Sequence, residues 1–257
     1  MHRVHPACDC GPADETECSG ESHNPRQANA MTQSQPPANS RPVSSAQTSA
    51  HAALAALVRR HAGQPFRKPP AAYSSAAFQR FLTAWDRRAA PVLDAGCGTG
   101  ESTARLARAA PHRLVVGIDQ SAHRLARGPM ARDLPANALL LRADIVDFWR
   151  LLQGAGVPLH AHYILYPNPW PKPTQLMRRW PAHPVFPSIV ALGGQLECRS
   201  NWQVYNDEFA QALTILTGKA HGAEPFDPAI PLTPFERKYA QSGHTLYRVR
   251  ADLTRTA

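Results

Sequence analysis

The 257-residue sequence has few cysteines, few acidic residues and no long apolar run. Its five cysteines are too scattered for a disulfide framework in a chain of this length. No apolar run approaches the roughly 18 residues that a membrane span requires, so we expect a soluble protein with no membrane partner. The opening MHRVHPACDCGPADE lacks the apolar stretch of a secretory signal, so we expect a cytoplasmic location.

Three of the five cysteines, Cys8, Cys10 and Cys18, lie in a polar N-terminal segment that also contains histidines. Their spacing matches no zinc motif, and the segment has no core to organise ligands. We therefore predict no metal site.

The shortage of acidic residues makes the chain basic, with a net charge of +9 and a pI of about 9.8. Residues 1–50 carry three basic and five acidic side chains, a net charge of −2, which leaves +11 on residues 51–257. A basic folded region favours a polyanionic partner.

Composition divides the chain near residue 50. Residues 1–50 are rich in Ser, Pro, Gln and Asn and lack aromatic residues, so they bury too little apolar surface to offset the entropy of ordering. We predict a disordered, low-complexity tail over 1–50 and one domain over 51–257.

Within that domain, short apolar runs alternate with amphipathic stretches. PVLDAG, RLVVGID, ALLLRAD and HYILYP are typical of strands, and ESTARLARAA, AHRLARGPM and VDFWRLL are typical of helices. HAALAALVRRH and AAFQRFLTAWDRR predict two helices before them. Strands GGQLECRS and HTLYRVRADL and helices near HPVFPSIVALGG and VYNDEFAQALTIL follow. The alternation predicts an α/β fold with a largely parallel sheet between helices.

A glycine-rich turn, VLDAGCGTG, follows the first predicted strand, with glycines at 96, 98 and 100. Glycines there permit positive φ and let a ligand approach the backbone closely. The G-x-G-x-G spacing after an acid, with no lysine, matches neither a dinucleotide fingerprint nor a phosphate loop. The turn therefore predicts a site for a ligand without a pyrophosphate.

Acidic residues end three successive predicted strands at intervals of 25 residues: Asp94, Asp119 and Asp144. Ligands of open α/β sheets bind outside the carboxyl ends of the strands, so the three carboxylates should meet in one crevice. Asp119 is placed to accept from ribose hydroxyls, Asp144 could accept from an adenine amino group, and Asp94 could orient an ammonium group.

These residues resemble the Rossmann-like S-adenosylmethionine-dependent methyltransferases, whose first motif looks like VLDAGCGTG. The resemblance implies a doubly wound, mostly parallel seven-stranded sheet with an antiparallel C-terminal strand. It implies S-adenosylmethionine as the methyl donor. The cofactor-binding residues it predicts are Asp94, Gly96, Gly98, Asp119, Asp144 and Asn168.

A second stretch, PNPWPKPTQLMRRW after the fourth predicted strand, resembles the Pro-Asp-Pro-Trp-x-Lys signature of the tRNA guanine-N7 methyltransferases. Ser200-Asn201-Trp202 stands where that family has Thr-Asp-Trp, and Thr233-Pro234-Phe235-Glu236 resembles its Thr-x-Phe-Glu motif. The similarity covers about residues 70–253 and implies methylation of N7 of a guanosine in tRNA. It implies Asn168 as the catalytic residue, and the substrate-binding residues it predicts are Lys172, Arg178, Arg179, Asn201, Thr233 and Glu236.

Two departures from the family pattern remove carboxylates, because Asn168 and Asn201 replace aspartates. A carboxylate accepts both Watson–Crick donors of guanine, whereas an amide opposes one of them with its own NH2 group. N7 exposes a lone pair and needs no general base, so Asn168 could still aim the base while oriented proximity supplies about 7 to 11 kcal/mol. Alternatively, the stretch imitates the Asn-Pro-Pro-aromatic loops of exocyclic-amine methyltransferases.

Several alternatives remain open from the sequence. Trp170 and Trp202 stack on a base or close the core. The Arg178 and Arg179 pair contacts phosphates or forms a solvated helix face. Thr233 and Glu236 have capping-box spacing, so Glu236 contacts substrate or stabilises a helix. The chain could also be a small-molecule methyltransferase or an RNA-binding protein that has lost catalysis.

Overall fold

The computed structural model describes residues 39–64, 66–128 and 133–254. Within them one sheet has the strands β1 (Val92–Ala95), β2 (Val115–Asp119), β3 (Ala138–Arg142), β4 (Ala161–Leu165), β5 (Gln195–Ser200), β6 (Glu224–Phe226) and β7 (Leu246–Asp252). The α-helices are α1 (Leu54–Ala62), α2 (Ala72–Ala84), α3 (Glu101–Ala109), α4 (Ala122–Arg127), α5 (Ile145–Gly154), α6 (Phe186–Ala191), α7 (Gln203–Thr217) and α8 (Pro234–Gln241).

The strand order is β3-β2-β1-β4-β5-β7-β6. Strands β1 to β5 pair in parallel, and β7 runs antiparallel between β5 and β6. The predicted seven-stranded, mostly parallel sheet with an antiparallel C-terminal strand is confirmed. The order reverses between β1 and β4, which creates the crevice where ligands of doubly wound sheets bind.

Alternating residues of β1 face the two helical layers. Val92 packs in the smaller apolar cluster with Leu106 and Ala107 of α3. Its neighbour Leu93 belongs to the larger cluster, which includes Phe81 of α2 and Phe148 of α5, whose ring centroids lie 5.7 Å apart. Both faces of the central strands are covered, which explains why the predicted strands are almost continuously apolar.

Some element boundaries differ from those predicted. Helix α2 begins at Ala72, four residues before the predicted AAFQRFLTAWDRR. The short edge strand β6, which contains Pro225, was not predicted. The last two residues of the predicted helix AHRLARGPM, 129 and 130, lie outside the described residues. After β4 the chain forms two 3-10 segments, Pro173–Arg178 and Trp180–Ala182, both beginning with a proline in the first turn.

Residues 39–50 lie within the predicted tail and run in irregular backbone against the domain. The Ser45 hydroxyl donates to the carbonyl of Pro171 at 2.6 Å, and the Ser40 backbone N–H donates to the Ser242 hydroxyl at 3.1 Å. Gln47 reaches Glu208 on α7 at 2.7 Å. Ordered contacts therefore begin before residue 50, while residues 1–38, with the three N-terminal cysteines, lie outside the described residues.

No helix among the described residues is long and apolar enough to cross a membrane. The same residues include no group of three His, Cys, Asp or Glu side chains that could hold a metal ion.

Candidate active site

A cavity of about 580 Å³ opens at the carboxyl ends of β1, β2 and β4, where the strand order reverses. Three loops and the start of α5 form its walls. Its lining includes Gly96, Asp119, Arg124, Asp144, Tyr166, Asn168, Trp170, Arg178, Trp180 and His183. The structure therefore brings together predicted residues from four separate parts of the chain.

The glycine turn forms the floor between β1 and α3. Gly96 and Gly98 have φ of +82° and +60°, which only glycine adopts at little cost. A Cβ at either position would meet nothing within 4 Å, so the backbone is open on that side. The turn is held by the Gly96 N–H, which donates to the carbonyl of Ile118 at 2.8 Å. Gly96 lines the cavity and Gly98 is not among the lining residues, so their contact with a cofactor stays a prediction.

Asp94 does not line the cavity. Its buried carboxylate accepts hydrogen bonds from the hydroxyls of Ser102 at 2.6 Å and Thr103 at 2.7 Å, both in the first turn of α3. Burial raises the pKa of Asp94 to about 6, although the two hydroxyl hydrogen bonds oppose that rise. Contrary to the predicted contact with a ligand ammonium, Asp94 fixes the start of α3 behind the glycine turn.

Asp119 and Asp144 both reach the cavity. The Asp119 carboxylate accepts from the Gly98 N–H at 2.9 Å and the Ser121 N–H at 2.7 Å, and Arg124 lies 3.3 Å from it. Asp144 caps α5, because its side chain accepts from the Val146 N–H at 2.9 Å. Backbone amides thus fix both carboxylates at adjacent strand ends.

Asn168 lies at the exposed tip of the loop after β4. Its side-chain oxygen accepts from the Trp170 N–H at 3.3 Å, and its NH2 group has no hydrogen-bond partner among the described residues. Tyr166 and Trp170, on either side, have φ of +51° and +46°, which is uncommon for residues other than glycine. Pro167 and Pro169 each have a fixed φ, and Pro169 also restricts the backbone of Asn168, so the loop presents the amide on a stiff backbone.

Lys172 and Arg178 are exposed beside the cavity. The Arg178 guanidinium lies over the Trp170 ring, 4.7 Å from its centroid, and both residues line the cavity. These two cations remain accessible to a polyanion. Trp170 faces the cavity rather than the core, which favours its predicted stacking role.

Arg179, in contrast, is fully buried and does not reach the surface. It pairs with buried Glu208 at 2.7 Å and hydrogen-bonds to Gln47 at 3.1 Å. It also donates to the carbonyls of Trp170 at 3.1 Å and Lys172 at 3.3 Å. The predicted phosphate contact is wrong for this arginine: it ties the loop to α7.

Asn201 and Trp202 lie beyond β5. The Asn201 amide lies 3.1 Å from Nδ1 of His244, and Nε2 of His244 lies 3.0 Å from the carbonyl of Ser40. Trp202 is buried, with the Arg179 guanidinium 4.8 Å from its ring centroid. Trp202 therefore closes the core, and neither residue is among those that line the cavity.

Thr233 and Glu236 stabilise α8. The Thr233 hydroxyl accepts from the Glu236 N–H at 2.9 Å, which makes Thr233 the N-cap. The buried Glu236 carboxylate accepts from the Tyr166 hydroxyl at 2.9 Å, from Arg199 at 2.9 Å and from the Leu232 N–H at 2.5 Å. Glu236 is fully buried and is not among the residues that line the cavity, which favours the structural alternative over the predicted substrate contact.

Sequence reasoning missed Tyr166, Arg199 and His183. Tyr166 lines the cavity, and its pKa is raised by burial and by the neighbouring Glu236. Burial lowers the pKa of His183, also in the lining, to about 4, so its imidazole is neutral near pH 7. Arg199 directly precedes the Ser-Asn-Trp motif, and this position was the only feature of the sequence that could have pointed to it.

A family model described as "Putative methyltransferase" matches residues 88–249. A tRNA (guanine-N(7)-)-methyltransferase of Nitrosococcus oceani is 32% identical over 177 residues, covering 65% of this chain and 72% of that protein. The enzyme of the same name from Acidovorax sp. is 28% identical over 174 residues, covering 64% and 68%.

Among solved structures, the antibiotic-resistance methyltransferase Kmr aligns with 74% of this chain and 97% of its own. Its sequence identity to this chain is 20% and the TM-score is 0.45.

Proposed function

We infer that this chain, which belongs to the tRNA (guanine-N7)-methyltransferase family, transfers a methyl group from S-adenosylmethionine to N7 of a guanosine in tRNA. The observation that carries this inference is the convergence of Asp119, Asp144 and Asn168 on one cavity at the reversal of strand order. We also propose a cytoplasmic location, in keeping with a tRNA substrate.

The cavity, at about 580 Å³, lies in the size range of small-molecule sites, and its lining suits S-adenosylmethionine in chemistry. Asp119 would accept from the ribose hydroxyls, and Asp144 would accept from the adenine amino group. Gly96 and Gly98 leave the backbone open beside them. When bound, S-adenosylmethionine supplies a methyl group on a positively charged sulfur. The acids would therefore fix the donor while Asn168 faces its reactive end.

The protein has little proton chemistry to perform. Guanine N7 carries a free lone pair, so the cavity needs to align the base and exclude alternatives rather than deprotonate it. The stiff loop around Asn168 suits this positioning role, and oriented proximity supplies about 7 to 11 kcal/mol of barrier lowering. The neutral His183 imidazole adds no competing positive charge beside a sulfonium.

Charge supports tRNA as the substrate. Residues 51–257 carry a net +11, and Lys172 and Arg178 are exposed on the loop side of the cavity. Phosphate contacts make affinity depend on salt, with a log–log slope of about −0.7 to −0.9 per phosphate neutralised. A small-molecule methyltransferase would lack this dependence.

The decisive experiment combines purified protein, unmodified tRNA and S-adenosylmethionine, followed by mass spectrometry of the nucleosides. We expect N7-methylguanosine, and we expect its loss in Asp119→Ala. If the protein binds S-adenosylmethionine in calorimetry but forms no methylated nucleoside, the assignment of tRNA is wrong. If it binds tRNA but not the donor, the chain is an RNA-binding protein without catalysis.

One observation favours a second acceptor. The Asn168 side-chain oxygen accepts only one long hydrogen bond among the described residues, from the Trp170 N–H at 3.3 Å, so it can accept a second one. An exocyclic amine could donate to the Asn168 oxygen, as in amine methyltransferases. The same nucleoside analysis distinguishes this case, because the methylated product would then be an N-methylated base other than N7-methylguanosine.

A further inference from the structure

The outer face of α8 carries a row of aromatic rings. Phe235 and Tyr239 lie one helical turn apart, with ring centroids 6.2 Å apart and an interplanar angle of 25°. Tyr239 in turn stacks on His244, at 5.3 Å and 15°. Three nearly parallel rings therefore form one stack, which we call the α8 stack: Phe235, Tyr239 and His244.

The inner end of the α8 stack is fixed. The His244 ring has a hydrogen-bond partner at each nitrogen, Asn201 at Nδ1 and the Ser40 carbonyl at Nε2. The Asn201 NH2 group faces Nδ1, and Nε2 faces the Ser40 carbonyl, so both edges of the ring are held. Tyr239 also leans on Tyr166 of the cavity lining, with centroids 5.6 Å apart. The stack is thus rigid and adjoins the active site.

The outer end of the α8 stack, at Phe235, is open to solvent. Phe235 is 53% exposed, although Tyr239 already contacts its ring. Lys238, on the same helix, is exposed too, whereas the half-buried Arg237 is ion-paired with Glu101. An exposed ring at the end of a preformed stack offers a π-face at little cost in side-chain entropy, since its neighbours already restrict it.

We propose that the α8 stack is a landing surface for an unpaired base of the RNA near the nucleotide to be modified, and that this base stacks on Phe235. The proposal rests on the proposed function. Proteins that hold single-stranded RNA combine aromatic platforms with basic groups that follow the backbone, and both are present on this helix. Charge selects RNA over a protein partner, because the folded region is strongly basic.

The test measures tRNA affinity by fluorescence anisotropy for the wild type and for Phe235→Ala, Phe235→Leu and Phe235→Trp. Loss of one base–aromatic stack weakens binding about 5- to 150-fold, so we expect that effect in the Ala and Leu variants. Phe235→Trp should bind like the wild type. Ile230→Ala is the matched control, because Ile230 is 69% exposed and apolar but has no ring.

The salt dependence of tRNA affinity separates the contribution of stacking from that of charge. The slope of affinity against salt should be unchanged in Phe235→Ala, whereas Lys238→Ala should reduce its magnitude by about 0.7 to 0.9 if that lysine meets a phosphate. Affinity for S-adenosylmethionine should be unchanged in all Phe235 variants.

Failure of this proposal can be distinguished from failure of the proposed function. If the wild type neither binds nor methylates tRNA, both this proposal and the proposed function are wrong. If the wild type does both and Phe235→Ala binds equally well, only the landing surface is refuted. Binding by Phe235→Leu at wild-type strength would mean apolar contact without stacking, which also overturns the proposal. So would a change of oligomeric state in Phe235→Ala with unchanged tRNA affinity, because Phe235 would then face a second copy.

Discussion

The buried pair of Arg179 and Glu208 gives the sharpest quantitative prediction. Both side chains are fully buried, and Glu208 accepts from Arg179 with both oxygens, at 2.7 and 2.8 Å. Removing one partner of such a pair leaves an uncompensated buried charge and costs about 3 to 5 kcal/mol. Typical domains have only about 5 to 15 kcal/mol of stability in total. We therefore expect Arg179→Met to lose a large part of the free energy of unfolding.

Urea unfolding followed by circular dichroism measures this loss. The adjacent Arg178→Met is the matched control: Arg178 is exposed, so its stability should change by less than about 0.5 kcal/mol. The double variant Arg179→Met/Glu208→Leu should recover much of the stability, because it removes both charges at once. Its tRNA methylation should stay low, because the carbonyls of Trp170 and Lys172 lose their donor.

Two results would contradict this reasoning. If Arg179→Met unfolds within about 1 kcal/mol of the wild type, the arginine does not stabilise the loop as its burial implies. If the double variant is less stable than both single variants, the cost of the single changes does not come from an unpaired charge.

Three further outcomes are expected. Asp119→Asn should weaken S-adenosylmethionine binding about 10-fold or more in calorimetry, because a hydrogen bond to a charged group contributes about 1.5 to 3 kcal/mol, while the thermal midpoint stays near the wild-type value; an unchanged isotherm would remove Asp119 from the donor site. Asn168→Asp should raise the yield of N7-methylguanosine measured by mass spectrometry, because a carboxylate accepts both guanine donors, and a fall would point to another acceptor. The Asp94 pKa is raised to about 6 on folding, so its contribution to stability is full below the unfolded value near 3.8 and is lost as pH rises through about 6. Unfolding of Asp94→Asn between pH 4 and 6 should lack this fall, and parallel curves for the two proteins would disprove the assignment.

The features predicted from sequence are those set by local pattern and strand topology. The acid positions at the ends of β2 and β3 follow from strand alternation, since parallel strands end at the same edge. Asp119 and Asp144 therefore reach the cavity as expected. Asp94 fails the same rule because its side chain points to α3, where two hydroxyls satisfy it.

Local sequence patterns do not predict which individual side chains are buried. Arg178 and Arg179 are chemically identical neighbours, yet one is exposed and the other is fully buried. The difference depends on Glu208, 29 residues later, and on Gln47, 132 residues earlier. Glu236 shows the same limit, because its partners Tyr166 and Arg199 come from two other strand ends.

The antiparallel insertion of β7 has a consequence for biosynthesis. Strand β6 sits at the sheet edge and pairs with β7, which is translated after it. Translation proceeds at about 5 to 20 residues per second. Until β7 emerges from the ribosome, β5 keeps an open edge and β6 has no sheet to join. A nascent chain stalled before residue 246 would thus expose unpaired backbone groups to other chains. This edge of β5 is therefore covered only after nearly the whole domain has been synthesised.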